Sequence, residues 1–231
     1  MEKPNDNLNK IIFALENKAG TKQFIYRKTL ESFEQLKKCS AHYAETLSGI
    51  LSKKDSSVEI SYQDHGMFES SLKFSGDMLY FMMHSNVFTF PSEHFVHNSA
   101  YVKEDPLRSY CGMIMVYNFL ADSLKYHRYH DLGYLIGRIF INKDGHFFVQ
   151  GQRQLSFLFG DFANQLITKE NIDKIVETAI LHTLDFDLYV PPFDKIKEIT
   201  LLQKIKESGN AAISTGKRLG FTFGDSENET S

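Results

Sequence analysis

The chain has 231 residues, with 26 Lys+Arg against 29 Asp+Glu, a formal net charge of -3 and 42% hydrophobic residues. These are the proportions of a globular chain, which excludes a coiled-coil rod or wholesale disorder, and the slight acidity argues against bulk electrostatic binding to nucleic acid. The unusual quantity is aromatic: Phe 20 and Tyr 11 with Trp 0, side chains that must be buried or form a contact surface.

Residues 5–18 read as a short helix, with Asn5 or Asp6 as N-cap, Leu8, Ile11, Ile12 and Leu15 at helical spacing, and Gly20 as the stop. The opening Met1 to Asn7 has no apolar stretch behind its charges, and no window approaches ~18 apolar residues, so neither a secretory signal nor a transmembrane helix is expected. Thr21 then caps a long helix, Thr21–Ser52. Its stripe of Tyr26, Leu30, Phe33, Leu36, Cys39, Tyr43, Leu47 and Ile50 steps by three and four, leaving Glu34, Lys37, Lys38 and Glu45 in water. About thirty helical residues run roughly 45 Å, enough to cross a sheet or to pair with a second copy. Residues 1–54 carry ten Lys/Arg against six Asp/Glu, and residues 55–110 carry three against eight.

From Val58 the period changes to alternation. A three-residue loop Asp64-His65-Gly66 and a two-residue loop Gly76-Asp77 set Val58, Ile60, Tyr62, Phe68, Ser70, Leu72, Phe74, Leu79, Phe81 and Met83 on one face. The other face collects Glu59, Ser61, Gln63, Glu69, Ser71, Lys73, Tyr80, Met82 and His84, with Glu69 and His84 as a cross-strand pair. Residues 91–108, with Pro91 and Pro106, read as a long connection. Tyr110 to Tyr117 reads as a strand buried on both sides, and Asn118 to Asp131 fits either helix or strand.

The hairpin 135–152 turns at Lys143-Asp144-Gly145. This places Ile139, Ile141, Phe147 and Val149 on one face and Arg138, Phe140, Asn142, His146, Phe148, Gln150 and Gln152 on the other. Arg153 to Phe159 extends the second strand past a bend at Gly151. Thr168 caps a helix, Lys169 to Leu184, with Ile172, Ile175, Val176, Ala179 and Ile180 inside, and a further helix runs from Phe193 to Ser208. The fold expected is α+β: an antiparallel sheet of about five to seven strands, two of its units clear hairpins, with the long N-terminal helix and the C-terminal helices packed on it. The single domain spans 1–208, with helical parts at 5–53 and 168–208 around a sheet part at 58–159. Residues 209–231 form a flexible polar tail.

The face of Arg138, Phe140, Asn142, His146, Phe148, Gln150 and Gln152 is the leading candidate site. Aromatics beside Arg and amides suit a protein interface and can also stack bases, while the same residues are core if a helix covers them. His94-x-x-His97 and His127-x-x-His130 are candidate metal ligands where the chain is helical, with Glu93 and Asp131 adjacent. Glu69, His84, Ser61 and Ser71 suggest a triad, but no G-x-S-x-G supports one. Gly209 to Lys217 has the wrong spacing for a phosphate loop. Cys39 and Cys111 have no CxxC spacing and read as reduced thiols in a cytoplasmic protein. No cofactor is expected. The sequence thus predicts a non-enzymatic cytoplasmic interaction or assembly module, homo-oligomeric or bound to a protein partner through the long helix and the 135–152 face. A nucleic-acid or nucleotide binder using that face is the alternative, and a metal-dependent hydrolase built on the histidine pairs is the second. No membrane partner is expected.

Overall fold

The computed structural model describes residues 6–186, 188–190, 192–198, 200–202 and 216–217. It opens on α1 (Asp6–Ala14), a π-helical turn (Leu15–Ala19) and α2 (Gly20–Leu51). The break expected at Gly20 is absent. A terminating glycine takes a left-handed conformation, whereas Gly20 is helical at φ -56, ψ -47, and its N–H bonds to the Leu15 carbonyl five residues back. The chain absorbs one extra residue as a π-turn rather than ending the helix.

Every described residue up to Gly20 is exposed. The body begins at α2, which buries Ile25, Thr29, Phe33, Leu36, Cys39 and Ala44, with Tyr26, Leu30 and Tyr43 packed at their margin. Ile50 stays exposed. Lys37, expected in water, is buried: its ammonium donates to the Gly66 carbonyl at 2.7 Å and pairs with Glu34 at 3.0 Å and Asp64 at 3.2 Å. Burial opposes its charge, but the hydrogen bonds to the two carboxylates outweigh that and hold its pKa above the ordinary lysine value.

Six strands follow in one antiparallel sheet whose spatial order is its sequence order: β1 (Ile60–Asp64), β2 (Glu69–Phe74), β3 (Asp77–Met83), β4 (Cys111–Leu120), β5 (Tyr134–Asn142) and β6 (Phe147–Gly151). The inner face carries Leu72, Phe74, Leu79, Phe81, Ile114, Val116, Ile139, Ile141, Phe147 and Val149, and α2 and α6 (Lys169–Leu184) pack on it. Thr168 caps α6 by accepting from the Asn171 N–H, and Ile172, Ile175, Val176, Ala179 and Ile180 are buried as expected. The Tyr43 hydroxyl on α2 donates to Glu177 on α6.

Two turns differ from expectation. The β1–β2 loop is His65 to Phe68, because Asp64 pairs with Ser70, and the β2–β3 loop is Ser75-Gly76, because Phe74 pairs with Asp77. Both slips are by an even number of residues, so every side chain keeps its face. Glu69 lies opposite Met82, which dissolves the Glu69–His84 pair.

Residues 118–131 resolve into the end of β4, a short helix α4 (Ala121–Lys125) and turns. The connection after β3 is folded: a 3-10 turn (Phe95–Asn98), α3 (Ala100–Glu104) and a second 3-10 turn (Pro106–Ser109) lie on the outer face of β4–β6. Ser99 caps α3 and Asp105 caps the second turn. Arg108 ties this cover to the hairpin loop, bonding Asp144 at 2.9 Å while its guanidinium sits 4.4 Å from the Tyr101 ring centroid, and Lys143 bonds Asp105. Arg153 to Phe159 does not extend β6 but forms α5 (Gln154–Leu158). Past α6 the structure shows β7 (Leu188–Tyr189), paired with β8 (Gly216–Lys217), and α7 (Phe193–Ile196). The rest of the expected 193–208 helix and of the 209–231 tail falls largely outside the described residues.

Candidate protein-binding face

The hairpin register is the one the turn chemistry demands, with Phe140 opposite Phe148 and Gly145 at φ 81. Its outer face is not free, however. Phe140 is 4% exposed and Phe148 2%, closed over by Val96, Val102 and Phe162 with Phe88 and Phe90 alongside. Phe148 has ring neighbours on all sides, at 5.0 Å from Phe140, 5.2 Å from Phe95, 5.2 Å from Phe162 and 5.6 Å from Phe90. Asn142 is fully buried: its Oδ1 accepts from the N–H groups of Asp144 and His146, and its Nδ2 donates to the Tyr101 hydroxyl and the Arg108 carbonyl. His146 stacks on Tyr101 and pairs through Nδ1 with the Phe162 carbonyl. Phe140, Phe148, Asn142 and His146 therefore lock the cover to the sheet. Arg138, bonded to Gln150 and 5.5 Å from the Phe140 ring centroid, remains half-buried at the margin, with Gln150 and Gln152 exposed.

The histidine pairs do not assemble into a metal site. His94 caps the first 3-10 turn, accepting from the Val96 N–H, and stacks on Phe90 at 4.4 Å; His97 meets the Phe90 carbonyl at 3.0 Å. His127 and His130 lie exposed in the turns after α4, and among the described residues no three His, Cys, Asp or Glu side chains converge. Ser71 is bonded by His65 at 2.8 Å rather than joining Glu69 and His84, and it is 3% exposed. Cys39 and Cys111 are buried, and burial pushes both thiols up, away from nucleophilic thiolate.

What remains open on the outer face is its other half. Tyr80 lies opposite Tyr117, Met82 opposite Met115, Met78 opposite Phe119, and Met115 opposite Arg138, all half-buried. His65 stacks on Tyr80 at 5.7 Å, Tyr80 meets Phe119 edge-on at 5.6 Å, and Phe119 lies 6.4 Å from Tyr117. Gly133 passes directly beneath Phe119, where a Cβ would come within 2.1 Å of the ring, and the preceding turn exposes Tyr129 and Leu132. The polar side chains flanking this row are balanced in charge: Glu59 paired with Lys73, then Glu69 and Arg138. Burial pushes the Tyr80 hydroxyl up, with the nearby Glu69 charge adding to it.

Tyr80 and Met82 are legible in the sequence as outer-face residues, whereas Met115 and Tyr117 lie in a run that reads as buried on both sides and Phe119 in the 118–131 stretch that fits either helix or strand. The signal was the odd-numbered positions of β4. A shallow cleft of 620 Å³ between α2 and residues 85–88 is lined by Lys22, Gln23, Tyr26 and Asn86, with Lys22 held over Tyr110.

The half-buried His94 and the buried His182 are expected to make stability pH-dependent. Burial lowers the pKa of His94, helped by His97 and Arg138, and burial lowers that of His182, helped by Arg153. The unfolded chain then binds protons that the folded chain refuses, so stability is complete above the free-imidazole value of about 6.5 and falls as pH drops below it. The expected result is a thermal midpoint that falls from pH 7 to pH 5, with a shallower fall in His182→Gln. A midpoint that rises over this range would contradict it.

Fold and site together define an α+β protein with half of one sheet face covered and half left as an open aromatic row. No family model matches the chain, and the curated proteins and solved structures show no match either.

Proposed function

We propose that this chain is a non-enzymatic protein-interaction module that docks a protein partner on the open half of its outer sheet face. The observation behind this reading is the row Tyr80, Phe119, Tyr117, Met115 and Arg138, half-buried and contiguous. Tyr, Phe, Met and Arg are the residue types enriched at protein interfaces, and they are rigid or amphipathic enough to act as anchors. The balanced charge of the face, inside a chain of net charge -3, gives less support to nucleic acid, whose backbone calls for a basic surface. Among the described residues no helix is long and apolar enough to cross a membrane. The two buried, unpaired thiols suit a reducing compartment, the cytoplasm.

The test is a photo-crosslinking amino acid placed at Tyr117, with Phe157, 87% exposed on α5, as the control position. A defined protein adduct at Tyr117 that is missing at Phe157 and is lost on Arg138→Glu supports the reading. Identical adducts at both positions, or none at Tyr117 in the cells that make the protein, would refute it.

A further inference from the structure

We infer that α1 is a self-pairing element: two copies of the chain dock antiparallel along the face formed by Leu8, Ile11, Ile12 and Leu15. The inference extends the interaction-module reading to a second surface and rests on it only in that sense, because α1 and the open sheet face share no residue.

Three observations converge. The first is that, among the described residues, nothing buries the apolar face of α1 and the neighbouring Leu15. None of its residues is buried, and Leu8, Ile11, Ile12 and Leu15 are 53%, 56%, 43% and 60% exposed, beside Phe13 at 68%. Because α1 continues into α2 its helical form needs no partner, but its exposed apolar face gains free energy only by burial against another surface.

The second is the π-turn. Extrapolated backwards at 3.6 residues per turn, the buried stripe of α2 would run through Leu15, Ile11 and Leu8, so an unbroken α-helix would aim them along the same side as Ile25 and Thr29. The extra residue at Leu15–Ala19 turns α1 by roughly 100° relative to that line. The apolar face is therefore set off from the direction in which α2 meets the sheet, toward space where a second molecule can approach.

The third is the spacing itself. Positions 8, 11, 12 and 15 read the same in both directions. About a two-fold axis between Ile11 and Ile12, an antiparallel copy brings Leu8 against Leu15 and Ile11 against Ile12, so one patch complements itself, as a two-fold interface requires. The charges agree: Asp6 and Lys10 are already paired at 2.6 Å, and the other half carries Glu16 and Lys18, so two electrically neutral halves meet. A helix that lies on an anionic membrane instead carries a basic polar face, which α1, with as many acids as bases, lacks. The contact is one helical segment of about 15 Å per copy, smaller than a standard specific interface, so the dimer is weak and concentration-dependent.

Sedimentation of the full chain over a wide concentration range should show a mass rising from 26.6 kDa toward twice that value. Ile11→Glu/Ile12→Glu should remain monomeric throughout with an unchanged thermal midpoint, since both side chains are exposed in the single copy. Orientation is read with a short bis-maleimide. Leu8→Cys mixed with Leu15→Cys should cross-link, and Leu8→Cys alone should not; Cys39 and Cys111 are buried and stay silent. A strictly monomeric wild type, a dimer that survives the double substitution, or efficient Leu8→Cys self-cross-linking would overturn the proposal. So would a monomer that binds lipid vesicles through α1. Tyr117→Glu should leave the mass unchanged, so failure of the sheet-face reading and failure of helix pairing are read separately.

Discussion

Gly112→Ala is expected to destabilise the protein by about 3 kcal/mol, the upper end of overpacking effects. Gly112 sits on β4 where α2 crosses the sheet, and a Cβ there would stand 2.0 Å from Thr29 Oγ1 and 2.8 Å from Thr29 Cβ. Rotating the threonine does not relieve the second contact, because its Cβ is fixed to the helix backbone. The helix itself would have to move, and Thr29 is fully buried with its hydroxyl donating to the Ile25 carbonyl at 2.8 Å. Removing the obstruction on the other side should recover part of the loss. Thr29→Gly/Gly112→Ala is expected to be more stable than Gly112→Ala, even though glycine inside a helix costs about 1 kcal/mol. Chemical denaturation of the four species checks this as a double-mutant cycle. A Gly112→Ala protein within about 0.5 kcal/mol of wild type would show that helix and sheet are not in this close contact.

Phe148→Ala should cost about 4 kcal/mol, as expected for removal of a buried phenylalanine. Its ring is the meeting point of Phe90, Phe95, Phe140 and Phe162, so the loss leaves a cavity under the whole cover. Phe157→Ala, on a side chain 87% exposed, is expected to leave the unfolding curve where it was. Equal and small effects of the two substitutions would mean that Phe148 faces solvent and that the cover does not close over the sheet.

The 135–152 hairpin was legible to the residue because Lys143-Asp144-Gly145 puts its glycine where the backbone turns to positive φ, leaving one register. In the β1–β3 meander the faces were legible but the registers were not. Alternation fixes only the parity of a pairing, and at the second turn Ser75, not the neighbouring glycine, takes the positive φ, at 57°. Gly20 misled because a glycine's local preference is weak against a helix that continues on both sides. The covered site was the least legible part. Pro91 and Pro106 mark the 91–108 segment as a loop, and its folding back on the sheet depends on contacts with residues some fifty positions away. The hint was compositional: Phe95, Val96, Tyr101 and Val102 make that loop too apolar to lie in water.

Each strand pairs only with its neighbours in the chain, so the sheet can assemble hairpin by hairpin, and each step closes a local loop at modest entropic cost. The helical layer is the opposite case. The bond from Tyr43 to Glu177 joins positions 134 residues apart, across the entire sheet sequence. The α2–α6 contact is therefore the clasp of the molecule. A contact so distant in sequence carries a large loop-closure cost that order in the intervening sheet reduces, so loosening either helix is expected to loosen the other.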